Sequence, residues 1–240
     1  MTAPPALDTD RHALFLDFDG TLVAFADDPA AVAIEKPALA RLVELSAELG
    51  GALAIVSGRR VVDLDRFLSP LRFAAAGVHG LERRAAPEAP TRLLAGPETL
   101  TDVRQELVAA VALHPRLILE DKGTALVLHY RTAPDLEEVA SAAMAKAVAG
   151  RGDLLVMKGQ AIVEVHPAGM DKGRAVADLM AQAPFAERMP VYLGDDTTDE
   201  FALTWVREAG GLSIKVGQAP SAAEFRLRDV AAVHGWLGTA

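Results

Sequence analysis

The chain has 240 residues, 51% hydrophobic and 24% charged, with no cysteine and a formal net charge of -9. A chain this long buries roughly 70–75% of its unfolded surface and needs no staple; lacking cysteine, it has no disulfides, thiolate metal sites or cysteine nucleophiles. The acidic balance argues against a nucleic-acid or anionic-membrane surface, so an anionic ligand would need local groups that overcome the global field. No apolar run approaches the roughly 18–20 residues of a membrane helix. The start, MTAPPALDTDRH, carries acids and prolines where a signal peptide has a basic start and an apolar stretch, so the expected location is the cytoplasm. Length alone predicts one large domain or two small ones.

The first predicted element is the run 13–18, apolar but for Asp17 near its carboxyl end and ended by Gly20, which reads as a buried strand of a parallel sheet. Residues 37–49 repeat Leu39, Leu42, Val43, Leu45 and Leu49 at helical spacing and stop at Gly50-Gly51, a glycine C-cap. A second apolar run, 52–56, ends in Ser57-Gly58-Arg59. Strand, helix, strand is a βαβ unit, and ligand sites in such folds lie at the strands' carboxyl ends; Asp17, Asp19 and Ser57 fall there.

Residues 72–78 predict a third strand, and the Pro-rich, polar stretch 82–97 a hairpin or a linker. A helix follows over 100–113, with Thr99 or Thr101 as N-cap and His114-Pro115 as its stop. Strands 117–120 and 125–130 pair across Asp121-Lys122-Gly123-Thr124, a second helix spans 134–148, and 154–157 pairs with 161–165 across Lys158-Gly159-Gln160. Helix, hairpin, helix, hairpin is an α+β layer with its own sheet. It predicts an inserted domain over 98–166 between the halves, 1–97 and 167–240, of an α/β, Rossmann-like doubly wound core. Helix 172–180, strand 189–193, helix 200–208 and strand 212–216 complete that core.

Asp17 and Asp19 follow the first predicted strand, and Asp195-Asp196 follow the strand at 189–193. Read singly, each acid is a solvated loop residue or an N-cap. As a set, carboxylates at adjacent strand ends converge, and like charges held together are costly unless neutralised. A hard divalent cation does that, and Mg²⁺ prefers carboxylates, carbonyls, water and substrate phosphate. Within Asp17-Phe18-Asp19-Gly20-Thr21-Leu22, two acids two apart on an extended segment point the same way, one to attack and one to handle a proton. Gly20 lets the backbone turn beneath an anion, and the Thr21 hydroxyl is placed to donate to a phosphate oxygen.

This string resembles the nucleophile motif of the haloacid dehalogenase superfamily of phosphotransferases. Ser57, Lys172 at a helix start, and Gly194-Asp195-Asp196-Thr197-Thr198-Asp199 supply the remaining motifs in order. Ser57-Gly58-Arg59, Gly77-Val78-His79-Gly80, Glu120-Asp121-Lys122-Gly123, Leu128-His129-Tyr130-Arg131, Val163-Glu164-Val165-His166-Pro167, Asp171-Lys172-Gly173 and Leu193 to Glu200 together resemble the trehalose-6-phosphate phosphatase family. The likeness spans residues 13–217, the inserted segment included. Two features depart from it: the acidic, alanine-rich loop 24–33, which carries no readable signature, and Val78, where an acid or polar residue is expected before His79-Gly80.

The resemblance implies a haloacid dehalogenase-like core with a specificity-determining cap. It implies Asp17 as a nucleophile forming an aspartyl-phosphate, Asp19 as acid then base, and Ser57 and Lys172 completing the catalytic cradle. Mg²⁺ would be held by Asp17, the main-chain carbonyl of Asp19, and Asp195. Gly20, Thr21, Arg59, Glu120, Lys122 and Glu164 would bind a disaccharide phosphate, the last three its sugar; the alternative for these last three is a surface ion pair on an exposed sheet face. Arg131, Lys158, His129 and His166 are weaker candidates. Asp196 and Asp199 would orient Mg²⁺ waters or Lys172, although Asp199 serves equally as N-cap of the helix at Glu200. Hinges are expected near 93–98 and 167–171. The competing expectations are another sugar-phosphate phosphatase (sucrose phosphate, mannosyl-glycerate phosphate or hexose phosphate) and a non-catalytic phospho-accepting regulatory domain.

Overall fold

A computed structural model describes residues 2–25, 32–159 and 161–238, so most of the acidic loop 24–33 lies outside the described residues, as does Gln160. The chain divides into two units: residues 1–92 with 171–240, and residues 93–170.

The first unit opens with β1 (His12–Leu16), whose five residues are all buried. A strand buried on both faces must be central in a covered parallel sheet. Helix α1 (Lys36–Glu48) follows, stopped by Gly50 in the left-handed region (φ 60°) as the glycine pair predicts. Then come β2 (Leu53–Val56), α2 (Val61–Phe67) and β3 (Ala74–Gly77). The stretch expected to be a hairpin or linker contributes two short strands to the sheet edge, β4 (Glu82–Arg84), antiparallel to β3, and β5 (Arg92–Leu93).

The second unit contains α3 (Thr101–Leu113), β6 (Ile118–Asp121), β7 (Leu126–His129), α4 (Glu137–Ala147), β8 (Leu154–Gly159) and β9 (Ile162–Pro167). The expected N-cap is corrected: neither Thr99 nor Thr101 caps α3, because a 3₁₀ turn over Pro97–Leu100 runs directly into it and Leu100 takes the cap position. Its four strands are antiparallel in the order β6-β7-β9-β8. Leu126, Leu128, Val163 and Val165 form one core with Val103 and Leu107 of α3 and Ala140 and Met144 of α4. Because side chains alternate along a strand, Glu120, Val127 and Glu164, which are aligned in register, project from the other face.

The chain returns to the first unit with α5 (Lys172–Met180), β10 (Met189–Gly194), α6 (Glu200–Glu208) and β11 (Leu212–Val216). Two unpredicted elements follow, β12 (Phe225–Leu227) and α7 (Val230–Leu237). The sheet order is β12-β11-β10-β1-β2-β3-β4-β5, parallel from β12 through β3. From β1 the chain builds outward through β2 and β3, then resumes on the opposite side with β10, β11 and β12. The order therefore reverses between β1 and β10, and crevices outside such switch points are where open α/β sheets bind ligands. No helix among the described residues is long and apolar enough to cross a membrane.

Phe15 of β1 stacks on Phe185 with ring centroids 5.2 Å apart, both fully buried. Phe15→Ala removes that pair and leaves a cavity beneath the switch point. It is expected to cost about 3–5 kcal/mol and lower Tm by about 10 °C, checked by thermal unfolding.

Candidate active site

The register of β1 and β10 sets Leu16 beside Leu193, and the Asp17 amide continues the ladder by donating to the Leu193 carbonyl at 3.0 Å. Asp17 thus leaves one strand end beside the segment that leaves the other at Asp195. Two glycines allow the acids to close in. Gly20 has φ 77°, and a Cβ there would sit 2.2 Å from Asp195 Oδ2; a Cβ on Gly194 would sit 2.3 Å from Asp199 Cγ. Asp17, Asp195 and Asp199 consequently bring one carboxylate oxygen each within 4.8 Å of one another.

Lys172, the first residue of α5, reaches into this cluster from a helix whose N-cap is Asp171, accepting from the Arg174 amide. Its Nζ donates to Asp17 Oδ1 at 2.8 Å and to Asp199 Oδ1 at 2.7 Å, with 3% of the side chain exposed. Asp199 Oδ1 also accepts from the Tyr192 hydroxyl at 2.6 Å, and its Oδ2 from the Asp196 amide at 2.9 Å. Of the two roles open to Asp199, capping α6 is corrected: it makes no side-chain bond to that helix and instead orients Lys172. Asp196 points its side chain into the local 3₁₀ turn Thr197–Asp199 as the partner of a capping box. Tyr192 escaped the sequence reading. The available signal was a tyrosine inside an otherwise aliphatic buried strand, because a buried phenol needs a partner.

Burial pushes the Asp17 carboxyl well above the usual carboxylate range, Asp199 and Asp195 push it further, and Lys172 opposes them. Burial would lower the Lys172 ammonium, but Asp17 and Asp199 hold it protonated. Asp195 is pushed up to about 6 by burial and by Asp199, with Lys172 and Lys215 pulling the other way. Three acids around one ammonium leave an excess of negative charge. The donor set, hard oxygens at a glycine-floored crevice, fits a divalent cation such as Mg²⁺.

Asp19 leads elsewhere. Its carboxylate forms a bidentate pair with Arg59, both contacts at 2.6 Å, and the guanidinium lies over the rings of Phe67 (4.6 Å) and Phe18 (5.6 Å). Arg59 is thus brought to the acid. Thr21 is fully buried and its hydroxyl donates to Asp195 Oδ1 at 3.4 Å. Ser57, at the end of β2, accepts from the Arg59 amide at 3.2 Å. Its loop is backed by a turn in which Val78 (φ 46°) and His79 (φ 54°) are both left-handed. The Val78 and His79 amides donate to the Arg59 and Ser57 carbonyls at 2.9 and 3.1 Å. A β-branched residue in that region is an outlier, and the departure at Val78 belongs to this support of the Ser57 loop.

In the second unit, Lys122 Nζ meets Glu164 Oε2 at 3.1 Å with side chains 11% and 4% exposed, so the exposed surface pair is not what forms. Glu120 Oε2 lies 2.8 Å from His129 Nε2, a bond that holds its carboxyl below the usual range, with Lys122 adding to the effect. Lys158 is a solvated hairpin residue, and His166 is buried with Nδ1 2.8 Å from the Pro167 carbonyl.

Lys172→Met leaves two buried carboxylates facing each other, which is expected to cost about 3–5 kcal/mol near neutral pH. Because burial and the neighbouring acids hold the Asp17 carboxyl above its ordinary range, it takes up a proton early as pH falls, and the deficit should shrink between about pH 8 and about pH 5. Urea unfolding of both proteins across that range checks it; a constant deficit would count against charge repulsion as the cause.

The sequence profile of the trehalose-phosphatase family matches residues 15–231. A trehalose-6-phosphate phosphatase of Escherichia coli is 38% identical over 238 residues, covering 99% of this chain and 89% of the relative. A probable trehalose-phosphate phosphatase of Sinorhizobium fredii is 43% identical over 218 residues, covering 90% and 82%. Among solved structures, the C-terminal domain of a C. albicans trehalose-6-phosphate phosphatase matches 98% of this chain and 97% of its own with a TM-score of 0.82 at 24% identity. A haloacid dehalogenase-like hydrolase from B. subtilis matches 95% and 100% with a TM-score of 0.66 at 13% identity. At those identities the structures show the fold alone: a haloacid dehalogenase-like α/β core with a cap. The profile and the two relatives show more, and the chain belongs to the trehalose-phosphatase family as a phosphoric monoester hydrolase.

Proposed function

We propose that this enzyme hydrolyses trehalose 6-phosphate to trehalose and phosphate with Mg²⁺, through an aspartyl-phosphate on Asp17, as the last step of trehalose biosynthesis. The observation that carries the reading is the Asp17–Lys172 contact inside a three-carboxylate cluster at the switch point of the sheet. The substrate comes from the names of the two relatives.

Lys172 holds Asp17 Oδ1 and leaves the other oxygen to attack phosphorus in line as the bond to the sugar oxygen breaks. Asp19 gives that departing oxygen a proton, then as a carboxylate takes one from the water whose oxygen displaces Asp17 and frees phosphate. Paired with Arg59, Asp19 is an acceptor only; an anionic substrate that draws the guanidinium toward its own phosphate frees Asp19 to carry a proton. Gly20, Thr21, Ser57 and Lys172 cradle the phosphate, while Asp196 and Asp199 keep the loop and Lys172 in place. When bound by Asp17, Asp195 and the main-chain carbonyl of Asp19, Mg²⁺ screens the nucleophile from the phosphate and absorbs charge on its equatorial oxygens. Glu120, Lys122 and Glu164 of the cap read the sugar hydroxyls. A charged pair kept from water discriminates strongly, since a wrong sugar leaves it unsatisfied.

Phosphate release is expected from trehalose 6-phosphate with Mg²⁺, lost with a chelator, and abolished in Asp17→Asn while circular dichroism stays unchanged. A panel including sucrose phosphate, mannosyl-glycerate phosphate and hexose phosphates should give lower kcat/KM; a better substrate among them would overturn the assignment. Because Asp195 holds its proton up to about 6, protons and Mg²⁺ compete for it. The Mg²⁺ concentration for half-maximal rate should rise as pH falls through that value.

A further inference from the structure

We propose that Lys215, a residue outside the acidic cluster, is a positioning residue that fixes the loop after β10 so that Asp195 is aimed before a cation arrives. The inference rests on the Mg²⁺ reading of Asp195.

The observation behind it is a buried charge with no part in the chemistry. Lys215 is aligned with Gly194 across the central β10–β11 ladder and is 1% exposed. A lysine so buried is retained only if its ammonium is paired and hydrogen-bonded. Its Nζ donates to Glu200 Oε1 at 3.0 Å and to the main-chain carbonyl of Asp196 at 3.2 Å. Glu200 is itself anchored, because Oε2 accepts from the Ser221 hydroxyl at 3.0 Å and the Ala222 amide at 2.9 Å.

Asp196 is therefore held at both of its main-chain polar groups by charged side chains. Its amide is bound by Asp199 and its carbonyl by Lys215. Asp195 sits between this doubly tethered residue and Gly194 in the strand, so little freedom remains in the backbone that carries its carboxylate. Lys215 also opposes the acids that push the Asp195 carboxyl upward. Partners that orient ligands rather than bind the ion commonly alter metal affinity by about 10–100-fold.

The sign of the effect separates tether from charge. Removing a cation beside a metal site strengthens Mg²⁺ binding by electrostatics alone, whereas losing a tether weakens it. Mg²⁺ is titrated calorimetrically into the full chain without substrate, for wild type, Lys215→Met and Lys215→Gln. Lys215→Met should bind at least about tenfold more weakly, and Lys215→Gln, which keeps an N–H donor for the Asp196 carbonyl, should recover most of the affinity. In turnover, Lys215→Met should raise the Mg²⁺ requirement while kcat at saturating Mg²⁺ stays near wild type. Affinity equal to or tighter than wild type in Lys215→Met, or no recovery in Lys215→Gln, overturns the proposal.

Amide exchange over residues 194–199 of the metal-free protein is a readout that needs no Mg²⁺. Faster exchange in Lys215→Met is expected, and unchanged protection overturns the tether. If Lys215→Met does not fold, Ser221→Ala, at a partly exposed position, loosens Glu200 instead and should also weaken Mg²⁺; unchanged affinity there is the contrary result. Failure of wild type itself to bind Mg²⁺ would strike the metal reading, while exchange would still decide the tether.

Discussion

A lysine ammonium buried between two buried carboxylates is the interaction on which the rest of the site depends. The Lys172 ammonium bonds Asp17 at 2.8 Å and Asp199 at 2.7 Å with all three side chains shielded from water, where a carboxylate lacking such a partner is costly. The contact is built from residues far apart in the chain and brought together by the strand order of one sheet. It also explains why Tyr192 and the Asp196 amide converge on Asp199. A carboxylate shared by a lysine, a phenol and a main-chain amide keeps one geometry, so the ammonium stays aimed at Asp17.

That arrangement is possible because side chains are missing where the acids need room. At Gly20 the backbone passes where any Cβ would strike Asp195, and at Gly194 where any Cβ would strike Asp199. Gly58 does the same for the ring of His79, which would lie 2.8 Å from a Cβ there. Burial and the neighbouring acids raise the proton affinity of Asp17 and Asp195, with Lys172 opposing at both and Lys215 at Asp195. The three gathered carboxylates are a donor set that a divalent cation would suit.

The central strands were legible because a strand covered on both faces is written as an unbroken apolar run, and the acids that follow such runs mark its carboxyl end. The helices at 172–180 and 200–208 were legible from their apolar period. What escaped lacked those signals. Helix α2 spans seven residues, too few to display a period, β12 spans three, and α7 is apolar nearly all round, with a glycine inside it. Partnership was the other blind spot. The family resemblance singled out Asp19 and Arg59, but not that they grip each other across 40 residues of sequence. Asp199 had two physically reasonable uses, and only the position of Tyr192 and Lys172 decides between them.

The strand order has a bearing on how the protein is made. β1 pairs with β2 on one side and with β10 on the other, and the second partner is synthesised only after the whole cap segment has been read. Until residues 189–194 leave the ribosome, one edge of a strand that ends up wholly buried stands open, and an uncovered, mostly apolar edge invites pairing with other chains. The cap's four antiparallel strands contact one another within a single continuous stretch, and such local pairings form sooner than distant ones. The edge of β1 that leads to Asp17 thus closes only when β10 arrives, and the cluster of Asp17, Asp195 and Asp199 forms with it.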